Sequence, residues 1–342
     1  MTETLPLNVV VLAAGEGTRM KSALPKVLHP LAGRTMLGHV LAVTNALEAS
    51  RTVVVVAENT IDQVRATFGP RYAYVVQTER LGTGHAVLQA QAALQDAPGD
   101  LLVLYADSPL IQPETARMLV AARRASGALV GLLSFHADPP TGYGRVLRDT
   151  AGALVDLIEE RNATAAQRAV TEANSGFMVF DGPWLWRTLG NVPRNLVKGE
   201  YYLTDLVGMA VRERGLGAAI AVATPDPCDA WGCNDRVQLA EAERVLRERI
   251  LASWMRAGVT VIDPATTYID ADVCVGIDTT LLPGTILRGG TSIGANCMIG
   301  PYTTLVDATI GDGAHVTYAL IEAAHVAPGA TVGPFAHVQG DA

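Results

Sequence analysis

Leu12–Lys26 reads L-A-A-G-E-G-T-R-M-K-S-A-L-P-K, directly after the apolar, β-branched run that begins at Leu7. A run of that kind is expected as a strand buried on both faces. Gly15 and Gly17 then permit a sharp turn and a close backbone approach to a ligand. Successive backbone N–H groups in such a turn form an anion nest, and Arg19 and Lys26 add two positive charges. The combination suits a triphosphate. Two commoner glycine-rich loops fit less well. The P-loop pattern G-x-x-x-x-G-K-[ST] does not occur. A dinucleotide fingerprint needs a small residue where Met20 stands and an acid on the next strand, whose first acid comes only at Glu58.

Outward from this turn, buried strands alternate with helical stretches as far as Thr224. Strands are expected at Val9–Leu12, Thr52–Ala57, Ala73–Gln77, Leu101–Tyr105, Leu129–Ser134 and Gly176–Phe180, with helical patterns at Met36–Ala49 and Gly84–Leu94. Such alternation implies a mostly parallel α/β sheet covered on both faces, with ligands at the carboxyl ends of its strands. Asp235 reads as an N-cap, and Leu239, Leu246, Ile250 and Trp254 form the buried stripe of a connecting helix.

After Asp263 the period changes. Aliphatic residues recur every six positions at Ile269, Val275, Leu281, Leu287, Ile293, Ile299 and Leu305. Four places after each stands a smaller residue: Val273, Thr279, Thr285, Thr291, Cys297, Thr303 and Thr309. This is the signature of a hexapeptide parallel β-helix, with the phase slipping around Ile310–Ile321. The expected division is therefore 1–234 for the α/β domain, 235–262 for the connecting helix and 263–342 for the prism.

With 49% hydrophobic and 18% charged residues, the 342-residue chain reads as well packed. The net charge of −8 argues against nucleic acid or an anionic membrane as partner. The N-terminus lacks a basic n-region, no apolar run reaches a membrane span, and the four cysteines show no C-x-x-C pairing. A cytoplasmic location is expected.

Several separated strings carry a resemblance. Besides the glycine-rich turn and L-P-K-V-L-H (24–29), they are Q-T-E-R-L-G-T-G-H-A (77–86), P-T-G-Y-G-R (140–145), I-E-E-R-N-A-T (158–164), E-A-N-S-G (172–176) and G-E-Y-Y-L-T-D (199–205). The chain resembles the bacterial bifunctional N-acetylglucosamine-1-phosphate uridylyltransferases/glucosamine-1-phosphate acetyltransferases, the GlmU type. The resemblance implies a Rossmann-like nucleotidyltransferase domain followed by a short left-handed β-helix. It implies UTP and N-acetylglucosamine 1-phosphate as substrates, UDP-N-acetylglucosamine and pyrophosphate as products, and a homotrimer packed through prism faces.

By the same resemblance Arg19 and Lys26 would act on the phosphates, and Mg²⁺ would be held by Asp107 and Asn234. Leu12, Ala13, Ala14, Gly15, Gly17, Gln77, Gly82, Thr83, Tyr105 and Ala106 would surround the nucleotide. Gly144, Glu159, Asn174, Tyr202 and Thr204 would take the sugar. Taken alone, Asp107 before Pro109 could be a turn residue, Asn234 a helix cap, and Gln77 the plain end of a strand. Ala106 stands where the family pattern is expected to carry glycine. The histidines, among them His85, His315, His325 and His337, have no spacing that suggests catalysis. Another sugar phosphate or dTTP remains an alternative, as does a nucleotide-sugar sensor without turnover; the four groups Arg19, Lys26, Asp107 and Asn234 favour catalysis. Ile269 to Ala342 spans 74 residues, room for about four turns of prism. Gln339 stands where an arginine for an amino-sugar phosphate is expected, so acetyl transfer is expected to be absent.

Overall fold

The structure, a computed structural model, describes residues 5–196 and 198–340. By its internal contacts the chain divides into two units: Met1–His29 with Met36–Gln238, and Pro30–Thr35 with Leu239–Ala342.

The first unit is built on one sheet. Leu7–Ala13 lies near its middle, paired in parallel with Arg51–Ala57 on one side and Asp100–Tyr105 on the other. The main strand order is 219–223, 130–136, 172–181, 100–105, 7–13, 51–57, 73–77, and the hairpin 145–148/154–158 extends it from Glu172–Asp181. Val9, Val10, Val11, Val54, Val55 and Leu102 are wholly buried, as strands covered on both faces require. The parallel strands therefore end together, placing Ala13, Gln77 and Tyr105 at one edge. Glu172–Asp181 runs antiparallel to both of its neighbours in the main order, so its beginning, not its end, reaches that edge. Helix formation is interrupted where one stretch was expected: Thr83–Leu88 and Gln91–Leu94 are separate helices.

In the second unit, fourteen short strands among the described residues form three ladders of five, five and four parallel members, a left-handed parallel β-helix. The first strand is Thr260–Val261, just before the expected start. Leu281, Leu287, Ile299 and Leu305 stack inside with no exposure. Thr279, Thr285 and Thr303 fill corners, and their hydroxyls donate to backbone carbonyls such as Gly294 O (2.8 Å) and Leu282 O (2.7 Å). A threonine thus fits the corner and also satisfies backbone that would otherwise be orphaned. Thr309 breaks the expected series. Ser292 pairs with it across 17 rather than 18 residues, so Ala308 occupies the corner and Thr309 points outward.

Asp235 caps helix Arg236–Arg256 as expected, its Oδ1 accepting from the backbone N–H groups of Val237 and Gln238 (2.9 Å each). The helix's deepest residues are Ala242, Val245 and Leu251, while Ile250 and Trp254 are half-buried, so the buried face is rotated from the expected stripe. The hairpin Pro30–Thr35 belongs to the second unit. There Ala32 N donates to Glu243 (2.8 Å), Ala271 N donates to Ala32 O (2.9 Å), and Arg34 pairs with Asp272. The contiguous division expected from the sequence, 1–234, 235–262 and 263–342, does not include this strap.

Candidate active site

The carboxyl edge of the sheet opens into a cleft of about 280 Å³, lined by Leu12, Ala14, Gly15, Gln77, Arg80, Gly82, Thr83, Ala86, Tyr105, Asp107, Glu200 and Tyr202. Nine of these are residues expected at the nucleotide, metal or sugar. Ala13 and Ala106 lie beneath it in the core. Ala106 is fully buried and its N–H donates to Leu12 O (2.9 Å), so the residue in place of the expected glycine fits an ordinary backbone conformation.

Gly17 explains how Lys26 reaches the site. Its φ is +64°, and a Cβ there would lie 2.4 Å from the Lys26 Cβ. Only glycine lets the turn pass so close to that side chain. Lys26 is buried, and its Nζ donates to Asp107 Oδ2 (2.6 Å) and Asn234 Oδ1 (2.8 Å). Residues distant in sequence are therefore gathered on one ammonium. Asn234 is not a cap, since Asp235 caps the helix and Gln238 Oε1 takes the Asn234 N–H (2.8 Å). Asp107 is fixed from behind by Cys233 N donating to its carbonyl (2.7 Å). Arg19 is exposed on the turn, without a side-chain partner among the described residues.

A carboxylate and an amide oxygen that converge on one cationic nitrogen are also the donors a hard divalent cation prefers. Among the described residues no group of three or more His, Cys, Asp or Glu side chains could hold a metal. A cation at Asp107 and Asn234 would share its shell with phosphate oxygens and water.

Gly82 has φ +95°, and a Cβ there would meet Tyr201 O at 2.6 Å. The N–H of Gly84 donates to that carbonyl (2.8 Å), and Thr83 Oγ1 accepts from Leu203 N (3.0 Å). Gln77 is buried, its amide nitrogen donating to Gly82 O (3.3 Å). The phenol of Tyr105 is held far above its usual range, first by burial and then by the charges of Asp107 and Glu159, so it stays neutral.

Of the expected sugar residues, Gly144, Glu159 and Asn174 lie together, and Tyr202 lines the cleft with Tyr105. Asn174 N donates to Gly144 O (2.8 Å), and a Cβ at Gly144 would lie 3.9 Å from Glu159 Oε1. The Asn174 Oδ1 already accepts from Gly176 N (3.0 Å), which leaves its NH₂ for a ligand. A Cβ at Gly176 would touch the Tyr105 ring at 3.0 Å. Tyr202 accepts from Arg161 (2.5 Å), and Thr204 opens helix Asp205–Arg214 without capping it. Arg80 and Glu200 were not singled out in the sequence. Arg80 bonds Ala14 O and pairs with Glu16 of the glycine-rich turn. Its place between Gln77 and Gly82 in one string was the available signal.

Residues 9–175 match the model of the MobA-like NTP transferase domain. A bifunctional protein GlmU from Thermobifida fusca is 45% identical over 335 residues, covering 96% of this chain and 69% of the relative. One from Streptomyces avermitilis is 45% identical over 345 residues, covering 99% and 71%. A third, from Exiguobacterium sibiricum, is 43% identical over 333 residues, covering 97% and 74%. The chain belongs to the GlmU family. As a GlmU-family protein with an NTP transferase domain, it is a nucleotidyltransferase, and the cleft at the end of Leu7–Ala13 is lined by that matched region together with Glu200 and Tyr202, which lie beyond it. No helix among the described residues is long and apolar enough to cross a membrane.

Proposed function

We propose that the chain transfers the uridylyl group of UTP to N-acetylglucosamine 1-phosphate, giving UDP-N-acetylglucosamine and pyrophosphate. The observation that carries this reading is the convergence of Lys26, Asp107 and Asn234 beside a cleft entered by the glycine-rich turn. A phosphate oxygen of the sugar phosphate attacks the α-phosphorus of UTP in line; the bond to the β-phosphate breaks and pyrophosphate leaves. The nucleophile is already ionised at neutral pH, since a phosphate monoester has a second pKa of about 6, so no general base is needed. What the site must supply is positive charge and alignment. Lys26 and Arg19 supply charge, and the N–H groups of the turn hold phosphate oxygens. Mg²⁺ would be held by Asp107 and Asn234, and when bound it neutralises phosphate charge. Glu159 and Asn174 orient the sugar, and Gly144 leaves room for it. Gln77, Gly82 and Thr83 take the base.

In this reading the reaction is cytoplasmic. The protein is a homotrimer, with the exposed aromatic row Tyr302–Tyr318–Phe335, centroids 5.7 and 5.8 Å apart, as apolar surface available to it; light scattering at micromolar concentration giving a monomer would remove that part. Acetyl transfer is absent from it as well. Gln339 pairs in register with Glu322, whose carboxylate lies 3.0 Å from His337 Nε2, and an acid beside a neutral amide is a poor seat for a phosphate. Thiol release from acetyl-CoA with glucosamine 1-phosphate is the check. The reaction itself is tested by pyrophosphate release across a matrix of nucleoside triphosphates and sugar 1-phosphates with Mg²⁺. UTP with N-acetylglucosamine 1-phosphate should be the best pair, and a clear preference for another pair overturns it.

A further inference from the structure

Three side chains lead away from the floor of the cleft in a single file. The amide nitrogen of Gln77 lies 3.1 Å from His85 Nδ1, and the amide nitrogen of Gln89 lies 3.1 Å from His85 Nε2. Each amide is also oriented by a backbone carbonyl: Gln77 donates to Gly82 O (3.3 Å) and Gln89 to His85 O (3.1 Å). Carbonyls only accept, so both NH₂ groups are turned toward the ring. Both bonds of the Gln77 side chain come from its nitrogen, so its oxygen has no partner among the described residues, in a side chain that lines the cleft.

A neutral imidazole has one N–H and one lone pair. It accepts from one of these amides, and its N–H then faces the NH₂ of the other. The file holds one hydrogen too many, and one amide must turn over. If Gln89 turns, its oxygen takes the Nε2–H, Nδ1 accepts from Gln77, and Gln77 keeps its oxygen toward the cleft. If Gln77 turns, its oxygen takes an Nδ1–H, its bond to Gly82 is lost, and the cleft meets an NH₂ instead. Gln89 is half-exposed, so water can replace the bond it gives up. Gln77 is only 6% exposed, and its lost bond would go unreplaced. The first arrangement is therefore the cheaper.

We propose that His85 is a positioning residue for base choice. As the Nε2–H tautomer it holds the Gln77 carbonyl toward the cleft. That oxygen accepts from a ring N–H, as at N3 of uracil, and repels a ring lone pair, as at N3 of cytosine. The inference rests on the nucleotide placement proposed above and adds how the base is selected.

The test is equilibrium binding of UTP and CTP to the full chain, with thermal melts alongside. Wild type should prefer UTP. His85→Ala should lose about tenfold of that preference, the worth of roughly one oriented hydrogen bond, with turnover at saturating UTP changed less than its KM. His85→Asn should restore most of it, because its Oδ1 can accept where Nδ1 did. Gln89→Met removes the partner of Nε2 without touching the cleft, leaves Nδ1 free to accept from Gln77, and should keep the preference. An unchanged UTP/CTP ratio in His85→Ala, a His85→Asn as impaired as the alanine, or an equal loss in Gln89→Met each overturns the inference. Should His85→Ala fail to fold, the asparagine and methionine variants still decide it. A wild type with no preference for UTP overturns it whatever the turnover. A wild type that prefers UTP but releases no pyrophosphate overturns the proposed reaction alone, and the His85 variants are then judged by binding.

Discussion

At Gly17 a Cβ would come within 2.4 Å of the Lys26 Cβ, and at Gly276 one would come within 2.4 Å of the Gly294 carbonyl carbon. The two approaches are equally tight and serve different ends. In the first unit the missing side chain lets a turn close over one lysine, and that lysine gathers Asp107 and Asn234. In the second, it lets one coil lie directly on the next. The same is true at Gly294 against Asp312 and at Gly311 against Pro328. A single close approach makes a site with a definite charge arrangement, whereas a repeated one makes a stack. Damage should follow that distinction, to turnover in one region and to stability in the other.

The largest effect should come from the group at the centre of the first arrangement. Lys26→Ala should lower turnover about 10²–10³-fold, the usual loss for one preorganised charge-stabilising donor, while the melting temperature stays close to wild type. Near-normal turnover in the folded variant would remove Lys26 from the phosphates.

The two glycines test the comparison itself. Gly17→Ala should cost about 10²-fold in turnover by displacing Lys26, at positive φ, with a modest change in melting. Gly276→Ala should leave turnover per folded molecule unchanged and lower the melting temperature by about 5–10 °C, as expected for a backbone clash of about 2–3 kcal/mol. Paired assays of rate and melting on both variants would break the comparison if the losses came out the other way round.

Asp107→Asn keeps the shape and loses the anionic oxygen. Turnover should fall at least about tenfold and the Mg²⁺ titration should move to higher concentration, with folding intact. An unchanged titration would return Asp107 to a turn residue.

The smallest effect expected lies away from the cleft, at Glu172. Burial pushes its carboxyl up, but the bonds from Arg148 and Ser134 outweigh that and hold it below the ordinary glutamate value. Its stabilisation is present above that value, about 4.3, and is lost as the pH falls through the lower folded value. Glu172→Gln should flatten the acid limb of melting temperature against pH below about 4, by a few degrees at most. An acid limb identical to wild type would show that the pair contributes nothing.

The sequence alone determined what depends on neighbours along the chain. Strand burial, the glycine-rich turn and the Asp235 cap are local, and the six-residue period repeats a local rule often enough to be read with certainty. The strings quoted for the resemblance named most residues that line the cleft, because a binding loop is a short run of backbone. Local reading failed where a residue has two uses and the fold selects one. Thr309 obeys the period, yet a single residue dropped from its coil turns it outward and leaves Ala308 in the corner. Asn234, taken alone, could cap the helix or face the site, and only the fold shows it bonded to Lys26 while Asp235 caps. The strap Pro30–Thr35 has no signal of its own, since its partners Glu243, Asp270 and Asp272 lie more than 200 positions away. His85 has no spacing that suggests catalysis, and only the fold sets its two nitrogens between Gln77 and Gln89. Hydrogen bonds and ion pairs act over about 3 Å of space, whatever the distance along the chain. That is why the elements could be read from the sequence, and why the partners within the site waited for the tertiary structure.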